Sequence, residues 1–356
     1  MTESQAEKFA RAAREQERSR KPRRDWRRYL KRAMIEIVAG YLVLCLVLFI
    51  FQRKLIYFPA KESDMSPKNY GFAPQQAQAL ENRTADGLTI RGWHLNSGRG
   101  GPALAKAPLV DLFFCGNAGN RSDRNDTFHR LISLGPHVVC FDYRGYGDSD
   151  GAPDEEGLAR DARAAWNFLV QQGVKPEHIV VHGESLGAAV AVRLAAEMCA
   201  AGTPPGGLIL QAAFTRLKDA AAKHYWFVPV SLILRDRFPS VERIPQVTCP
   251  VLILHGKRDD AVPFVLGREL FAAAPAQSAS GVPKQFVELP ACGHNDIGIV
   301  DTELYRESLG AFFATLNPEL APQQPRETTP RPPRERKPRT NPKLEIRNPK
   351  ETEKQK

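Results

Sequence analysis

The chain has 356 residues, with 50 Lys or Arg against 40 Asp or Glu, and a formal net charge of +10. This length allows one large domain with appended segments. The positive excess lies in two terminal segments, 1–32 with a net charge of +7 and 318–356 with +5, which leaves −2 for the remainder. Their basic clusters lack the interleaved aromatic residues of a nucleic-acid stacking surface, so nucleic-acid binding is not expected.

An apolar run follows the first basic segment. Residues 34–51 are apolar apart from Glu36, and as a helix they would extend roughly 27 Å, close to the hydrocarbon thickness of a bilayer. A cleavable signal peptide has a shorter apolar region and a small-residue cleavage site, whereas Gln52 and Arg53 follow here. We therefore predict an uncleaved transmembrane helix at 33–51, with a buried core helix as the alternative.

Charge predicts the orientation of this helix. Lys and Arg favour the cytoplasmic side of a membrane, and the basic residues of 1–32 outnumber Arg53 and Lys54 on the other side. We therefore predict that 1–32 is a basic cytoplasmic tail and that the following domain is extracytoplasmic, which means periplasmic in a Gram-negative bacterium.

The region 52–317 alternates apolar strand patterns with helix patterns, which predicts one α/β domain with a doubly wound, mostly parallel sheet. Strands are predicted at 109–114, 138–141, 179–182, 207–212, 250–256 and 285–289, and helices at 154–172, 188–198 and 263–274. The insertion 213–247 contains an apolar stretch, 225–234, which we interpret as a short cap over a site, with core packing as the alternative. The tail 318–356 is Pro-rich and polar, and we expect it to be disordered.

A Gly-x-Ser-x-Gly pattern at 183–187 is the most informative motif. It stands between the strand predicted at 179–182 and the small-residue helix predicted at 188–198. A serine on a sharp turn between a strand and a helix is the arrangement of a nucleophile elbow, in which glycines allow the tight turn. We therefore predict that Ser185 is a nucleophile.

An acid and a base follow the serine in the chain order that this architecture requires. Asp259 comes just after the strand at 250–256, where open α/β sheets place functional groups, and we favour it over Asp260. His294 lies in the loop after the last predicted strand. A serine hydroxyl is a weak nucleophile, so His294 would remove its proton and Asp259 would orient the imidazole.

Acyl transfer also needs backbone N–H groups where negative charge develops on the substrate oxygen. We predict one donor at Leu186, the residue after the nucleophile, and another at Asn117, with Ala118 in reserve, in the loop after the strand at 109–114. His182 and His255 end buried strands and are expected to make structural hydrogen bonds.

Five ordered motifs resemble those of the α/β-hydrolase superfamily. They lie at 114–120, 142–147, 183–187, 255–263 and 293–296. The resemblance covers about 54–316 and is closest to the membrane-anchored α/β-hydrolase-domain proteins, which have an N-terminal transmembrane helix. It implies the α/β-hydrolase fold. One departure is Cys115, where the family usually has a loop-bracing histidine.

The resemblance implies a serine hydrolase, since relatives of this kind include lipid esterases, lysophospholipases, acyl-thioesterases and serine aminopeptidase-like proteins. We predict cleavage of an ester or thioester with an apolar acyl part, through an acyl-enzyme on Ser185. No metal or organic cofactor is expected, the partners are an acyl substrate and membrane lipids, and the oligomeric state stays open. Alternatives are an aminopeptidase-like enzyme holding a substrate amine on Glu184 or Asp148, and a catalytically silent membrane scaffold.

Overall fold

The computed structural model describes residues 4–19 and 26–321. Its strands are β1 (Phe58–Pro59), β2 (Ala77–Arg83), β3 (Thr89–Leu95), β4 (Val110–Phe114), β5 (Ala118–Gly119), β6 (His137–Phe141), β7 (Ile179–Glu184), β8 (Gly207–Gln211), β9 (Val251–Gly256) and β10 (Gln285–Leu289). Its helices are α1 (Gln5–Ser19), α2 (Trp26–Ile56), α3 (Asn125–Ser133), α4 (Glu155–Gln171), α5 (Leu186–Ala200), α6 (Leu217–His224), α7 (Val230–Ile233), α8 (Ser240–Arg243), α9 (Phe264–Ala273) and α10 (Thr302–Leu316).

Within these residues, eight strands form one sheet in the order β10-β9-β8-β7-β4-β6-β3-β2. β3 runs antiparallel to both of its neighbours, β2 and β6. The other pairs are parallel. The central strands are almost entirely buried, because helices cover both faces of a parallel sheet, and this explains their nearly continuous apolar sequences.

Two apolar layers lie on opposite faces of the sheet. Alternate residues of a strand point to opposite faces, and in β4 Val110 and Leu112 belong to one layer while Phe113 belongs to the other. The first layer includes residues of α4, α5 and α9, and the second includes residues of α3 and α10. The doubly wound, mostly parallel sheet predicted from the sequence is confirmed.

The predicted strands are present as β4 and β6 to β10, with ends that differ by at most two residues. The hairpin β2–β3 was not predicted, because β2 is rich in polar residues and none of its residues is fully buried. The segment 225–234 includes α7 and lies next to the site as a short cap.

The helix α2 is longer than the predicted span at 33–51. It contains 31 residues, since the flanking Arg and Lys residues are good helix formers although they are not apolar. Among the described residues it is the one helix long and apolar enough to cross a membrane. The compact unit that contains the sheet continues to Ala321. The predicted disordered tail lies outside the described residues from 322 onward, and the domain boundaries stay a prediction.

Candidate active site

Ser185 occupies the sharp turn between β7 and α5. Its backbone has φ 54° and ψ −114°, a conformation that costs a non-glycine residue about 1–3 kcal/mol and recurs at functional sites. A side chain at Gly183 would collide with the backbone of Gly187, and one at Gly187 would collide with the carbonyl oxygen of Phe114. The glycines of the motif are therefore required by close backbone approach.

The structure brings the predicted serine, acid and base together. His294 Nε2 lies 3.1 Å from Ser185 Oγ, and His294 Nδ1 lies 2.8 Å from Asp259 Oδ2. Asp260, the rejected neighbour of Asp259, is exposed. His294 lies 35 positions after Asp259 and 109 positions after Ser185 in the sequence. The three side chains meet because the sheet places the ends of β7, β9 and β10 at one edge.

Protonation in this triad follows from its environment. Burial raises the pKa of Asp259, but hydrogen bonds from His255 and His294 outweigh it and hold the pKa well below its usual range. Burial lowers the pKa of His294, but the hydrogen bond and charge of Asp259 raise it to a net value above the ordinary one. Asp259 is therefore ionised, Nδ1–H of His294 donates to it, and Nε2 is left to accept from the serine hydroxyl.

Asp259 is fixed by more contacts than the sequence indicated. Its Oδ1 accepts hydrogen bonds from the backbone N–H groups of Ala261 (3.0 Å) and Val262 (2.7 Å). His255 Nε2 lies 3.1 Å from Val262 O and 3.3 Å from Asp259 Oδ2. The structural role expected for His255 is therefore present, and it includes support of the acid.

His182 is also held as a structural residue. Its Nδ1 lies 2.9 Å from Asp111 Oδ2, and its Nε2 lies 2.5 Å from the side-chain amide of Gln211. All three side chains are buried beneath the elbow, and the backbone N–H of Ser185 donates to the Gln211 carbonyl over 2.9 Å. This network supports the turn that carries Ser185.

Asn117 and Leu186 line the same cavity as Ser185 and His294. Leu186 is the first residue of α5, where backbone N–H groups have no partner within the helix. The side-chain amide of Asn117 donates to Ile56 O over 2.8 Å, and the backbone carbonyl oxygen of Asn117 accepts from the Tyr146 hydroxyl over 2.7 Å. The loop after β4 is thus held beside the serine, while the donor role of both N–H groups stays a prediction.

Tyr143 and Tyr146 brace this loop, a role that the sequence did not reveal. The Tyr143 hydroxyl donates to Cys115 O over 3.0 Å. Cys115 itself is a buried free thiol whose Sγ lies 3.6 Å from Cys140 Sγ. Hydrogen bonds from two tyrosines therefore secure the loop in which the family's usual histidine is replaced by Cys115.

Two cavities meet at His294. The larger one, about 480 Å³, is mainly apolar and is bounded by the serine, the cap and the end of α2. Its apolar lining includes Leu48, Leu55, Phe214, Leu217, Val228, Val230, Ile233 and Leu234. The smaller one, about 230 Å³, is lined by polar groups that include Asp126, Arg130 and Asn295. Acyl and polar parts of one molecule could therefore lie on opposite sides of the imidazole.

Across 4–19 and 26–321, no group of three or more His, Cys, Asp or Glu side chains is arranged to hold a metal ion. The expectation that the protein needs no metal or cofactor stays a prediction.

Comparison with known proteins agrees with this architecture. A model of the alpha/beta hydrolase family matches residues 112–303. An uncharacterised protein of Mycobacterium tuberculosis is 40% identical over 285 residues, which are 79% of this chain and 92% of that protein. The lysophosphatidylserine lipase ABHD12 of Danio rerio is 37% identical over 230 residues, which cover 57% of this chain and 60% of that protein.

Solved structures share the fold. An esterase from Pyrococcus furiosus superposes with a TM-score of 0.56 at 19% identity, covering 73% of this chain and 97% of that one. An alpha-beta hydrolase from Vibrio vulnificus gives a TM-score of 0.54 at 20% identity, covering 72% of this chain and 95% of that one. From the family match, the 40% identical relative and the common fold, we conclude that the chain belongs to the alpha/beta hydrolase family and is a serine hydrolase.

Proposed function

We propose that the protein is a membrane-anchored serine hydrolase that cleaves a carboxylic ester or thioester through an acyl-enzyme on Ser185. The observation that carries this proposal is the position of His294, within hydrogen-bond distance of both Ser185 Oγ and Asp259 Oδ2. A nucleophile, a base and an orienting acid at these separations are the requirements of nucleophilic acyl transfer.

The reaction would proceed in two halves. Ser185 Oγ attacks the acyl carbonyl carbon and its proton passes to His294 Nε2, while the backbone N–H groups of Leu186 and Asn117 stabilise the oxyanion. The bond to the alcohol or thiol breaks, and His294 returns the proton to this leaving group. Water then attacks the acyl-enzyme carbonyl and gives its proton to His294. The bond to Ser185 Oγ breaks, His294 returns the proton to this oxygen, and the acid is released.

The cavities support an acyl substrate with a polar head. The apolar walls of the larger cavity suit an acyl chain, because apolar area removed from water contributes about 25 cal/mol per Å². The smaller cavity suits a polar leaving group on the far side of His294. A relative named as a lysophosphatidylserine lipase supports a lipid-like ester as the substrate class.

The helix α2 supports membrane anchoring. Its apolar stretch has a mean hydropathy of 2.7, and the basic residues of 1–32 outnumber Arg53 and Lys54, the basic pair directly after the stretch. By the positive-inside rule the N-terminus is cytoplasmic and the hydrolase domain is extracytoplasmic, or periplasmic in a Gram-negative bacterium.

The two carboxylates considered for the aminopeptidase alternative, Glu184 and Asp148, are both paired with arginines. Glu184 is paired with Arg124 over 2.8 Å, and Asp148 is paired with the buried Arg121 over the same distance. Both carboxylates therefore already have cationic partners. The silent-scaffold alternative does not account for the triad, and most of the C-terminal tail on which it depends lies outside the described residues.

A substrate panel tests the proposal. Wild type and Ser185→Ala are compared on p-nitrophenyl esters and on acyl thioesters, each with short and long acyl chains, with Ser240→Ala as a control at another buried serine. We expect turnover by wild type and by the control, and a loss of at least about 10³-fold in Ser185→Ala. Equal turnover by Ser185→Ala and wild type would refute the proposal.

A further inference from the structure

The cap carries an apolar surface that the fold does not cover. Residues 225–234 include no charged side chain, and Trp226 and Leu232 are each 83% exposed. Phe227, beside them, is 45% exposed. Large exposed apolar side chains in one short segment mark a surface that contacts another apolar phase, so core packing does not account for this part of the cap.

This surface lies along the apolar helix α2. The Tyr41 hydroxyl donates to Phe227 O over 2.9 Å, and the Gln52 side-chain amide donates to Ile233 O over 3.1 Å. Tyr41 and Gln52 are eleven positions apart, or roughly 16 Å along a helix axis. This is about half of a bilayer's hydrocarbon thickness, so the cap runs beside the part of α2 that a membrane would surround.

Basic residues flank the apolar segment on both sides. Lys223 precedes it, and Arg235 and Arg237 follow it on either side of the buried Asp236. The Arg235 guanidinium lies 4.2 Å from the ring centre of Phe49 in α2. An apolar segment bordered by basic residues is the pattern of a structure that enters the interface and contacts anionic lipid head groups.

We propose that the cap segment 225–234 inserts into the membrane leaflet beside α2, and that the cavity at Ser185 takes its acyl substrate directly from this leaflet. Leu48 and Leu55 of α2 form one wall of the cavity, and Val228 and Val230 of the cap form another. The anchor helix is therefore part of the substrate pocket as well as a tether. The substrate route rests on the proposed function, whereas the insertion does not depend on catalysis.

Insertion is tested in the full chain reconstituted into phosphatidylcholine vesicles containing phosphatidylglycerol. The fluorescence difference between wild type and Trp226→Phe isolates the indole at 226, and it is compared in vesicles with and without bromine on the acyl chains. We expect bromine to quench at least half of this difference, in Ser185→Ala protein as well. If bromine does not quench this difference, and its emission is that of an indole exposed to water or covered by protein, the inference is overturned. This includes the case in which a second copy of the chain covers the cap.

The substrate route has a separate readout. The double variant Trp226→Ser/Leu232→Ser is assayed on a single-chain glycerophospholipid ester in vesicles and on water-soluble p-nitrophenyl acetate, with Val170→Ser as a control at an exposed apolar residue of α4. We expect at least a tenfold loss on the vesicle substrate and a change within twofold on the soluble one. Unchanged vesicle activity, or an equal loss on both substrates, would contradict delivery from the leaflet. Inactivity of wild type on both substrates, with quenching intact, would instead count against the proposed function alone.

Discussion

The side-chain amide of Asn117 donates a 2.8 Å hydrogen bond to the backbone carbonyl of Ile56, the last residue of the long apolar helix α2. The backbone N–H of Phe58 returns a 2.9 Å hydrogen bond to the carbonyl oxygen of Asn117. The loop that we propose as the oxyanion site is thus bonded to the end of the proposed membrane anchor. The end of α2 and the proposed oxyanion loop are therefore connected by direct hydrogen bonds.

Replacement of Asn117 by Leu tests this connection. The variant keeps the backbone N–H but loses the tie to Ile56, and a net hydrogen bond of this kind contributes about 1 kcal/mol. We expect kcat to fall about tenfold with KM within threefold, because a shifted donor stabilises the transition state less. Asn125→Leu on α3, which removes a comparable bond from the Asn125 side chain to Tyr70 O, serves as the control. Equal kcat values in both variants and wild type would contradict the role of the tie.

The pH dependence of turnover follows from His294. Its pKa lies above the ordinary value of about 6.5, and the imidazole must be neutral to accept the serine proton. Activity should therefore be low below the pKa of the folded protein and should rise as pH increases through it. The measurement is kcat/KM of the wild type against pH.

Asp259→Asn changes this profile in a defined direction. Without the carboxylate, burial remains and lowers the pKa of His294, so the rise in activity should move to lower pH while the maximum falls about 10³–10⁴-fold. Asp260→Asn, at the exposed neighbour, should give a much smaller shift and nearly full activity. A profile for Asp259→Asn that superposes on the wild type would exclude the assigned role.

The close backbone approach at Gly187 predicts that replacement of glycine by alanine costs more stability there than at Gly310. Gly187→Ala places a methyl group against the carbonyl oxygens of Phe114 and Cys115, and we expect a loss of about 1–3 kcal/mol in the free energy of unfolding. Gly310→Ala on α10 meets its nearest atom at 3.6 Å and should be neutral or stabilising by up to about 1 kcal/mol. Chemical denaturation of the two variants compares them, and equal stabilities would be inconsistent with the described packing.

The hydrogen bonds of Gln52 stabilise the contact between α2 and the cap. It is buried, and its side chain donates to Ile233 O and accepts from Arg235 N over 2.7 Å. Gln52→Leu leaves these cap groups unpaired, which costs about 1–3 kcal/mol. We expect a lower thermal midpoint and faster proteolysis within 225–234.

Gln172→Leu, at an exposed glutamine, is the matched control for this effect. It should leave the thermal midpoint and the proteolysis of the cap unchanged. Identical cleavage rates in the two glutamine variants would remove the evidence for the contact between anchor and cap.

The sequence could predict those parts of the molecule that local patterns determine. The apolar runs of β4, β7 and β9 identify buried strands, and the glycines around Ser185 identify the turn. The order of Ser185, Asp259 and His294 matches a known architecture. The polar hairpin strand β2 has no such apolar pattern. The ends of α2 contain charged residues, so a span predicted from apolar residues alone stops short of them.

Contacts between distant segments could not be predicted in this way. Gln52 meets the cap 181 positions away, and no local pattern in either segment specifies its partner. The support of the Asn117 loop by Tyr143 and Tyr146 likewise depends on the packing of separate strand ends. These contacts are the features that connect the anchor, the cap and the triad.

Covalent labelling of Ser185 tests the central claim most directly. The full-length protein is treated with a fluorophosphonate probe, and the modified peptide is identified by mass spectrometry in wild type, Ser185→Ala and His294→Ala. We predict a stoichiometric adduct on Ser185 in the wild type, none in Ser185→Ala, and labelling at least about 10²-fold slower in His294→Ala. A wild type with an intact fold that takes up no probe, or equal labelling of Ser185→Ala, would contradict the account.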